Sequence, residues 1–182
     1  MIVLETARLR LEPWVPAHGG MLARLAALPL VMRYIGDGVP WTAAEAEERS
    51  ARALVHWRTH GFGWRAAVER SGGRAIGLIA LNLAGPGVPE LADDEYEIGW
   101  WIDPAAWGRG YATEGGRAIV EEAFTRLGAP SVVARIQPAN AASIRVAAAL
   151  GLEHERDTAG RLGEPVRILR LRAPGSNRPR GA

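Results

Sequence analysis

The sequence predicts one mixed α/β domain of the α+β kind, and three observations carry that expectation. Segments with two-residue alternation and segments with helical spacing follow one another along the whole chain. At 182 residues the chain is long enough for one sizeable core and too short for two ordinary ones. Its 48% hydrophobic content is spread through those segments, and no apolar run reaches the length of a membrane span.

Within Ala7 to Glu12 the residues Arg8-Leu9-Arg10-Leu11 alternate, a half-buried first strand that Pro13 stops. Met21, Leu22, Leu25 and Leu28 recur at helical spacing after Pro16, and Pro29 closes that segment. Thr42-Ala43-Ala44-Glu45 is a capping-box pattern opening a helix that runs to about His60 and ends at Gly61. The connection from Arg33 to Trp41 is aromatic and glycine-rich; it reads either as a wall of a substrate site or as a surface loop with a tryptophan anchor. Phe62 to Glu69 and Ala75 to Leu83 read as strands around a hairpin turn at Arg70 to Arg74. A loop over Ala84 to Asp94 then leads into a strand at Tyr96 to Ile102, closed by Asp103-Pro104. A helix over Thr113 to Leu127 carries Ile119, Ala123, Phe124 and Leu127 at helical spacing, and Val132 to Ile136 is a short buried strand. Asn140 can cap a helix from Ala141 to Leu150 that ends at Gly151. Strands at Leu152 to Arg156 and Val166 to Leu171, turning at Thr158-Ala159-Gly160, finish the domain at about residue 172, and a disordered basic tail is expected over 173–182.

Composition excludes several classes. All 22 basic residues are arginine, and Arg178 and Arg180 lie in the acid-free tail, so the body holds 20 basic and 20 acidic residues. The formal charge of +2 is therefore a property of the tail, and no basic face for nucleic acid is expected. Cysteine is absent, which removes disulfides and thiolate chemistry. His18, His56, His60 and His154 lack zinc-site spacing, so no metal is expected; His56 and His60, four apart, read as a solvated helix face. Met1-Ile2-Val3-Leu4 is followed by Glu5 and not by an apolar core, so a cytoplasmic, membrane-free protein is expected.

The chemistry points to Trp107-Gly108-Arg109-Gly110-Tyr111-Ala112-Thr113-Glu114, a glycine-bracketed turn joining a strand to a helix. The first N–H groups of that helix lack internal partners, and with the positive end of the dipole they suit a phosphate; glycines let it approach the main chain. Neither the lysine of a P-loop nor the spacing of a dinucleotide fingerprint is present. A plain strand-to-helix connection is the other reading of the turn alone.

Four motifs in order make the chain resemble the GNAT N-acetyltransferases, in the branch of the RimJ and RimL ribosomal-protein enzymes. They are Glu5-Thr6-Ala7-Arg8-Leu9-Arg10-Leu11, Glu97-Ile98-Gly99-Trp100-Trp101-Ile102, the turn itself, and Asn140-Ala141-Ala142-Ser143-Ile144-Arg145-Val146 with Leu150-Gly151-Leu152. The resemblance covers most of Leu4 to Leu171. It implies a GNAT fold: a mixed sheet of about six to seven strands splayed in a V and flanked by about four helices. It also implies acetyl-CoA as cosubstrate, a primary amine as acceptor, and an assembly that in this branch is often a homodimer. In the family's Gln/Arg-x-x-Gly-x-Gly/Ala turn, Gly110 and Ala112 match while Trp107 stands at the Gln/Arg position, as is usual for this branch. By that match the amides near Arg109, Gly110, Ala112 and Thr113 would bind the pyrophosphate of coenzyme A, with Trp107, Gly108 and Tyr111 also among the cofactor-binding residues. The strand ending at Trp101 and Ile102 would bind the pantetheine arm through exposed main chain, with Asn140 contacting that arm, capping its helix, or both. Arg145 would meet the 3′-phosphate or stand as a solvated helix arginine.

Acetyl transfer to an amine needs a neutral nitrogen, donors for the carbonyl oxygen's growing charge, and help for the departing thiolate. Glu97, alternating with apolar positions of its strand, is the first candidate for general base or for gripping the ammonium; a structural carboxylate is the alternative, and Glu95 the fallback. The oxyanion donor is expected among backbone N–H groups near Trp101 or Ile102. Many GNAT enzymes place a tyrosine for the thiolate where this chain has Ala147; in the RimJ/RimL-like branch a serine three residues after the asparagine is proposed for the task, and Ser143 stands there. Other readings are a non-catalytic acyl-CoA-binding module and a transferase of a larger acyl group such as succinyl. Trp100 is expected only as core or cleft wall.

Overall fold

A computed structural model describes residues 2–85, 88 and 90–175. Strands β1 (Leu4–Glu5), β2 (Leu9–Pro13), β3 (Arg65–Glu69), β4 (Ala75–Leu83), β5 (Tyr96–Ile102), β6 (Ser131–Ile136), β7 (Glu153–Ala159) and β8 (Pro165–Arg172) form one sheet in the order β1-β2-β3-β4-β5-β6-β8-β7. Every neighbouring pair is antiparallel except β5–β6. The helices are α1 (Gly19–Ala26), α2 (Pro29–Met32), α3 (Ala43–His60), α4 (Tyr111–Thr125) and α5 (Ala141–Ala149).

Alternation along the strands divides the core into two. Ala67, Ile79, Leu81, Ile98 and Ile102 pack with Ile119 and Ala123 of α4 and Ala147 of α5. Their neighbours Ala66, Val68, Leu78 and Ala80 pack with Leu22 of α1 and Ala53 and Trp57 of α3. A two-residue period thus puts α4 and α5 on one face and α1 and α3 on the other. The alternation reaches β6, where Val132, Ala134 and Ile136 join the first core while Val133 packs on the opposite side with Leu91, Val166 and Ile168.

The helix ends follow their local chemistry. Thr42 accepts from Glu45 N at 3.2 Å and donates its own N–H to Glu45 Oε2 at 2.7 Å, the reciprocal capping expected from the sequence. Several expectations are corrected. The strand count is eight because Leu4–Glu5 pairs with β2, a run too short to show a period. Pro29 does not end an element; fixed φ and a missing N–H suit a first helical position, and it starts α2. His56 is half-buried and not a solvated residue: it bonds Phe62 O through Nδ1 at 2.9 Å and accepts from Leu83 N through Nε2 at 3.3 Å. Burial pulls its pKa below the ordinary histidine value. No helix among the described residues is long and apolar enough to cross a membrane, and no group of three or more His, Cys, Asp or Glu there could hold a metal ion. Of the expected tail, residues 176–182 lie outside the described residues.

Candidate active site

The cleft arises because two strands part. β5 and β6 pair only at Tyr96↔Val132 and Glu97↔Val133; beyond these, β5 continues to Ile102 and β6 to Ile136 without partnering each other. Ala84 N donates to Glu95 O (2.9 Å) and Asp103 N to Ile76 O (2.7 Å). These two bonds fix the phase of the β4–β5 ladder: odd residues of β5 spend their main chain on β4, the Ile98 N–H closes the short pairing with β6, and Trp100 and Ile102 turn their main chain into the gap. Of the two residues expected to supply an oxyanion donor, Ile102 therefore qualifies and Trp101 does not. Trp101 lines the cleft, its ring tilted 50° against Trp41 at 5.0 Å between ring centroids. The Ile102 carbonyl is already capped by the indole N–H of Trp107 at 2.6 Å.

The gap opens into a cavity of about 790 Å³. Glu97, Trp101, Ile102, Trp107, Gly108, Gly110, Tyr111, Ala112, Thr113, Asn140, Ser143 and Arg145 all line it, joined by Arg33 to Gly36 from the aromatic connection. Arg109 is the exception among the expected residues. Its guanidinium lies 3.8 Å from Glu69 Oε1, outside the cavity, so only its main chain is left for the turn.

Gly108 (φ 72°) and Gly110 (φ 79°) hold the left-handed conformation that side chains disfavour. Gly110 caps α4, which starts at Tyr111, two residues earlier than the apolar spacing suggested. Glu114 N bonds back to Gly110 O at 3.0 Å, leaving the N–H groups of Tyr111, Ala112 and Thr113 ahead of the first helical bond. Those amides and the helix dipole make an anion site.

The N-terminal motif braces this turn from behind. Thr6 Oγ1 (2.6 Å) and Arg8 N (2.7 Å) donate to Glu114 Oε1, and Arg8 Nε donates to Oε2 (2.7 Å). Arg8 Nη1 also donates to Arg109 O at 2.9 Å, tying that carbonyl back. Burial pushes the Glu114 carboxyl up, but the bonds from Thr6 and Arg8 outweigh it and hold the group below its ordinary value.

Two chemical groups face the gap from opposite sides of the sheet. Glu97 shares its face with Arg135, whose Nη1 lies 3.7 Å from Glu97 Oε1 and whose Nη2 donates to Glu90 Oε1 at 2.8 Å. Burial raises the pKa of Glu97, the Arg135 charge opposes the rise, and Glu90 adds to it. Glu95 is engaged elsewhere, accepting from Ala92 N and pairing with Arg170 at 2.5 Å. On the other face Trp100 Nε1 donates to Ser143 Oγ at 3.2 Å. Asn140 caps α5 by accepting from Ser143 N at 3.1 Å, so what it can offer the cavity is its amide N–H₂. Ala147 is fully buried in the core, away from the cavity lining.

The bonds that Arg8, Trp100 and Arg135 make are contributions that the sequence did not mark. Their partners lie 106, 43 and 45 residues away, so no local pattern exists to find them.

A family model described as an acetyltransferase (GNAT) domain matches residues 8–153. Among curated proteins, the FsC-acetyl coenzyme A-N(2)-transacetylase of Aspergillus fumigatus is 33% identical over 153 residues, covering 83% of this chain and 65% of the fungal protein. This chain thus spans just under two thirds of that relative. A solved acetyltransferase of Agrobacterium tumefaciens superposes with a TM-score of 0.80 at 28% identity, covering 94% of each chain. The RimL ribosomal L7/L12 alpha-N-protein acetyltransferase, solved with coenzyme A, shares the fold with a TM-score of 0.76 at 13% identity, over 94% of this chain and 98% of that one.

Proposed function

We propose, from the premise that this chain belongs to the GNAT acetyltransferase family, that it transfers an acetyl group from acetyl-CoA to the nitrogen of a primary amine. The observation that carries this reading is the unpaired stretch of β5 and β6, running from a half-buried carboxylate to the free amides at the start of α4. The name of the fungal relative, an N(2)-transacetylase, supports nitrogen as the acceptor.

The residues fit coenzyme A. The glycines at 108 and 110 leave room for a diphosphate against the amides of Tyr111, Ala112 and Thr113. The Ile98 carbonyl, the main chain of Trp100 and the Ile102 N–H offer a peptide-like ladder to an extended amide arm. The thioester supplies an activated carbonyl and a sulfur leaving group. Glu97 takes a proton from the attacking amine, directly or through water, and its raised pKa makes it a stronger base than an exposed glutamate. The Ile102 N–H is the oxyanion donor. Ser143 meets the departing sulfur, and Asn140 and Arg145 hold the coenzyme along α5. The acceptor is either a protein N-terminus or a small-molecule amine, received against the wall of Arg33 to Gly36.

Release of free coenzyme A, followed with a thiol reagent, tests this across peptide N-termini, polyamines, amino acids and aminoglycosides. The chain has no cysteine to contribute background. Amine-dependent release is expected, and its class names the acceptor. Binding of acetyl-CoA with no release for any amine would overturn the reading in favour of a binding module.

A further inference from the structure

We propose that Trp100 is a positioning residue for the departing thiol: its indole N–H fixes the Ser143 hydroxyl so that the hydroxyl's own hydrogen is directed at the sulfur. This rests on the acetyltransferase reading above and assigns a role to a tryptophan that otherwise serves as cleft wall.

The argument is one of hydrogen-bond inventory. Indole Nε1–H is a donor only, so at 3.2 Å from Trp100 Nε1 the Ser143 oxygen must accept. A hydroxyl has one hydrogen, and here that hydrogen has no acceptor among the described residues. Two helical threonines in this chain behave differently. Thr59 donates to Val55 O at 3.1 Å and Thr125 to Glu121 O at 2.7 Å, each spending its hydrogen one turn back. Ser143 lies in the first turn of α5, where the carbonyl of Asn140 is taken by Ile144 N at 3.1 Å and that of Ala139 by Ala141 N at 3.0 Å. Trp100 and Ser143 both line the cavity, so the free hydrogen belongs to the cleft. A second indole–serine bond, Trp14 Nε1 to Ser50 Oγ at 3.0 Å, is buried in the core and takes no part in lining this cavity, which makes it the structural counterpart.

The chemistry sets what such a hydroxyl can do. The amine nitrogen forms a bond to the acetyl carbon, the carbon–sulfur bond breaks, and its electron pair goes to sulfur. The proton of the amine passes to Glu97. A serine hydroxyl is a weaker acid than a thiol, whose pKa is about 8.5, so it does not hand over its proton. It donates a hydrogen bond to the thiolate, which leaves charged and is protonated by solvent. A hydroxyl whose oxygen already accepts an N–H bond is a stronger donor, because successive bonds polarise one another.

The test is a double-mutant cycle in steady-state kinetics with Trp100→Phe and Ser143→Ala. W100F keeps an aromatic wall and removes the N–H. Both single variants are expected to lower kcat about tenfold, the effect of losing one hydrogen bond, with the KM for acetyl-CoA unchanged within about twofold. In the S143A background, W100F should add nothing, and Trp100→His, which restores a ring N–H, should recover part of the loss. Unchanged kcat in W100F, or an equal further loss in the S143A background, would overturn the proposal. If W100F does not fold, W100H and S143A carry the test: full loss in W100H, or no loss in S143A, overturns it. A wild-type protein that releases no coenzyme A with any amine would instead strike the acetyltransferase reading itself.

Discussion

Glu97 is held between burial, which favours its neutral form, and the guanidinium of Arg135 3.7 Å away, which favours its charged form; burial wins. A base works only when deprotonated, so with Glu97 as the proposed base activity should rise with pH as it ionises. The acid limb of kcat/KM should lie above the ordinary glutamate range and vanish in Glu97→Gln, with a loss of activity on the order of a hundredfold. Arg135→Gln removes the opposing charge, so its limb should move to higher pH; a limb that stays in place would show that another group titrates. The residue scale is also where the sequence said least. That the carboxylate, serine and asparagine would line one cavity was legible because their motif spacing is local. The indole of Trp100, the guanidinium of Arg135 and the phase that separates Ile102 from Trp101 depend on which strand lies beside which, and short sequence patterns do not encode that.

At the scale of elements, two arginines tie α4 to the sheet in different ways. Arg65 of β3 and Glu122 of α4 form a pair with side chains 1% and 3% exposed, joined at 2.6 and 3.2 Å, and Arg65 also donates to Leu11 O. Burial drags the Arg65 pKa down while Glu122 resists. Glu122→Leu strands a buried charge and should cost about 3–5 kcal/mol in denaturant unfolding, most of which the double replacement Arg65→Met with Glu122→Leu should return. Arg8, half-exposed, braces the turn at the other end of α4. Arg8→Gln should raise the KM for acetyl-CoA about tenfold and leave that for the amine unchanged; equal changes in both would deny it a part in shaping the turn. The caps at Thr42 and Asn140 and the strands β4 and β5 were readable because each is decided within a few residues. The pairing of Arg65 across 57 residues was not, since a strand arginine reads as solvent-facing until its neighbours are known.

For the whole molecule, the joint between β5 and β6 is two residue pairs long, so coenzyme A would complete a sheet that the chain leaves open. At a hundredfold excess over its Kd, coenzyme A should stabilise the protein by about 2.7 kcal/mol. Amide exchange should slow at Trp100 and Ile102 and stay unchanged at Ile98, which β6 already protects, and at Glu97, Gly99 and Trp101, which β4 already protects; uniform slowing would contradict the assigned phase. The overall plan, alternating strands around a phosphate turn, was legible because periodicity and order suffice for it. Gly77 shows what they leave out: a Cβ there would fall 2.0 Å from Trp101 O, a packing limit set by a strand beginning about twenty residues later. The separation of the two working faces bears on ancestry. The turn proposed to hold the coenzyme is written in residues 107–113, and the wall proposed to face the acceptor in residues 33–36, so inherited change in one stretch need not disturb the other. A duplicated gene could trade one amine for another while its grip on the acyl donor passed unaltered through the lineage.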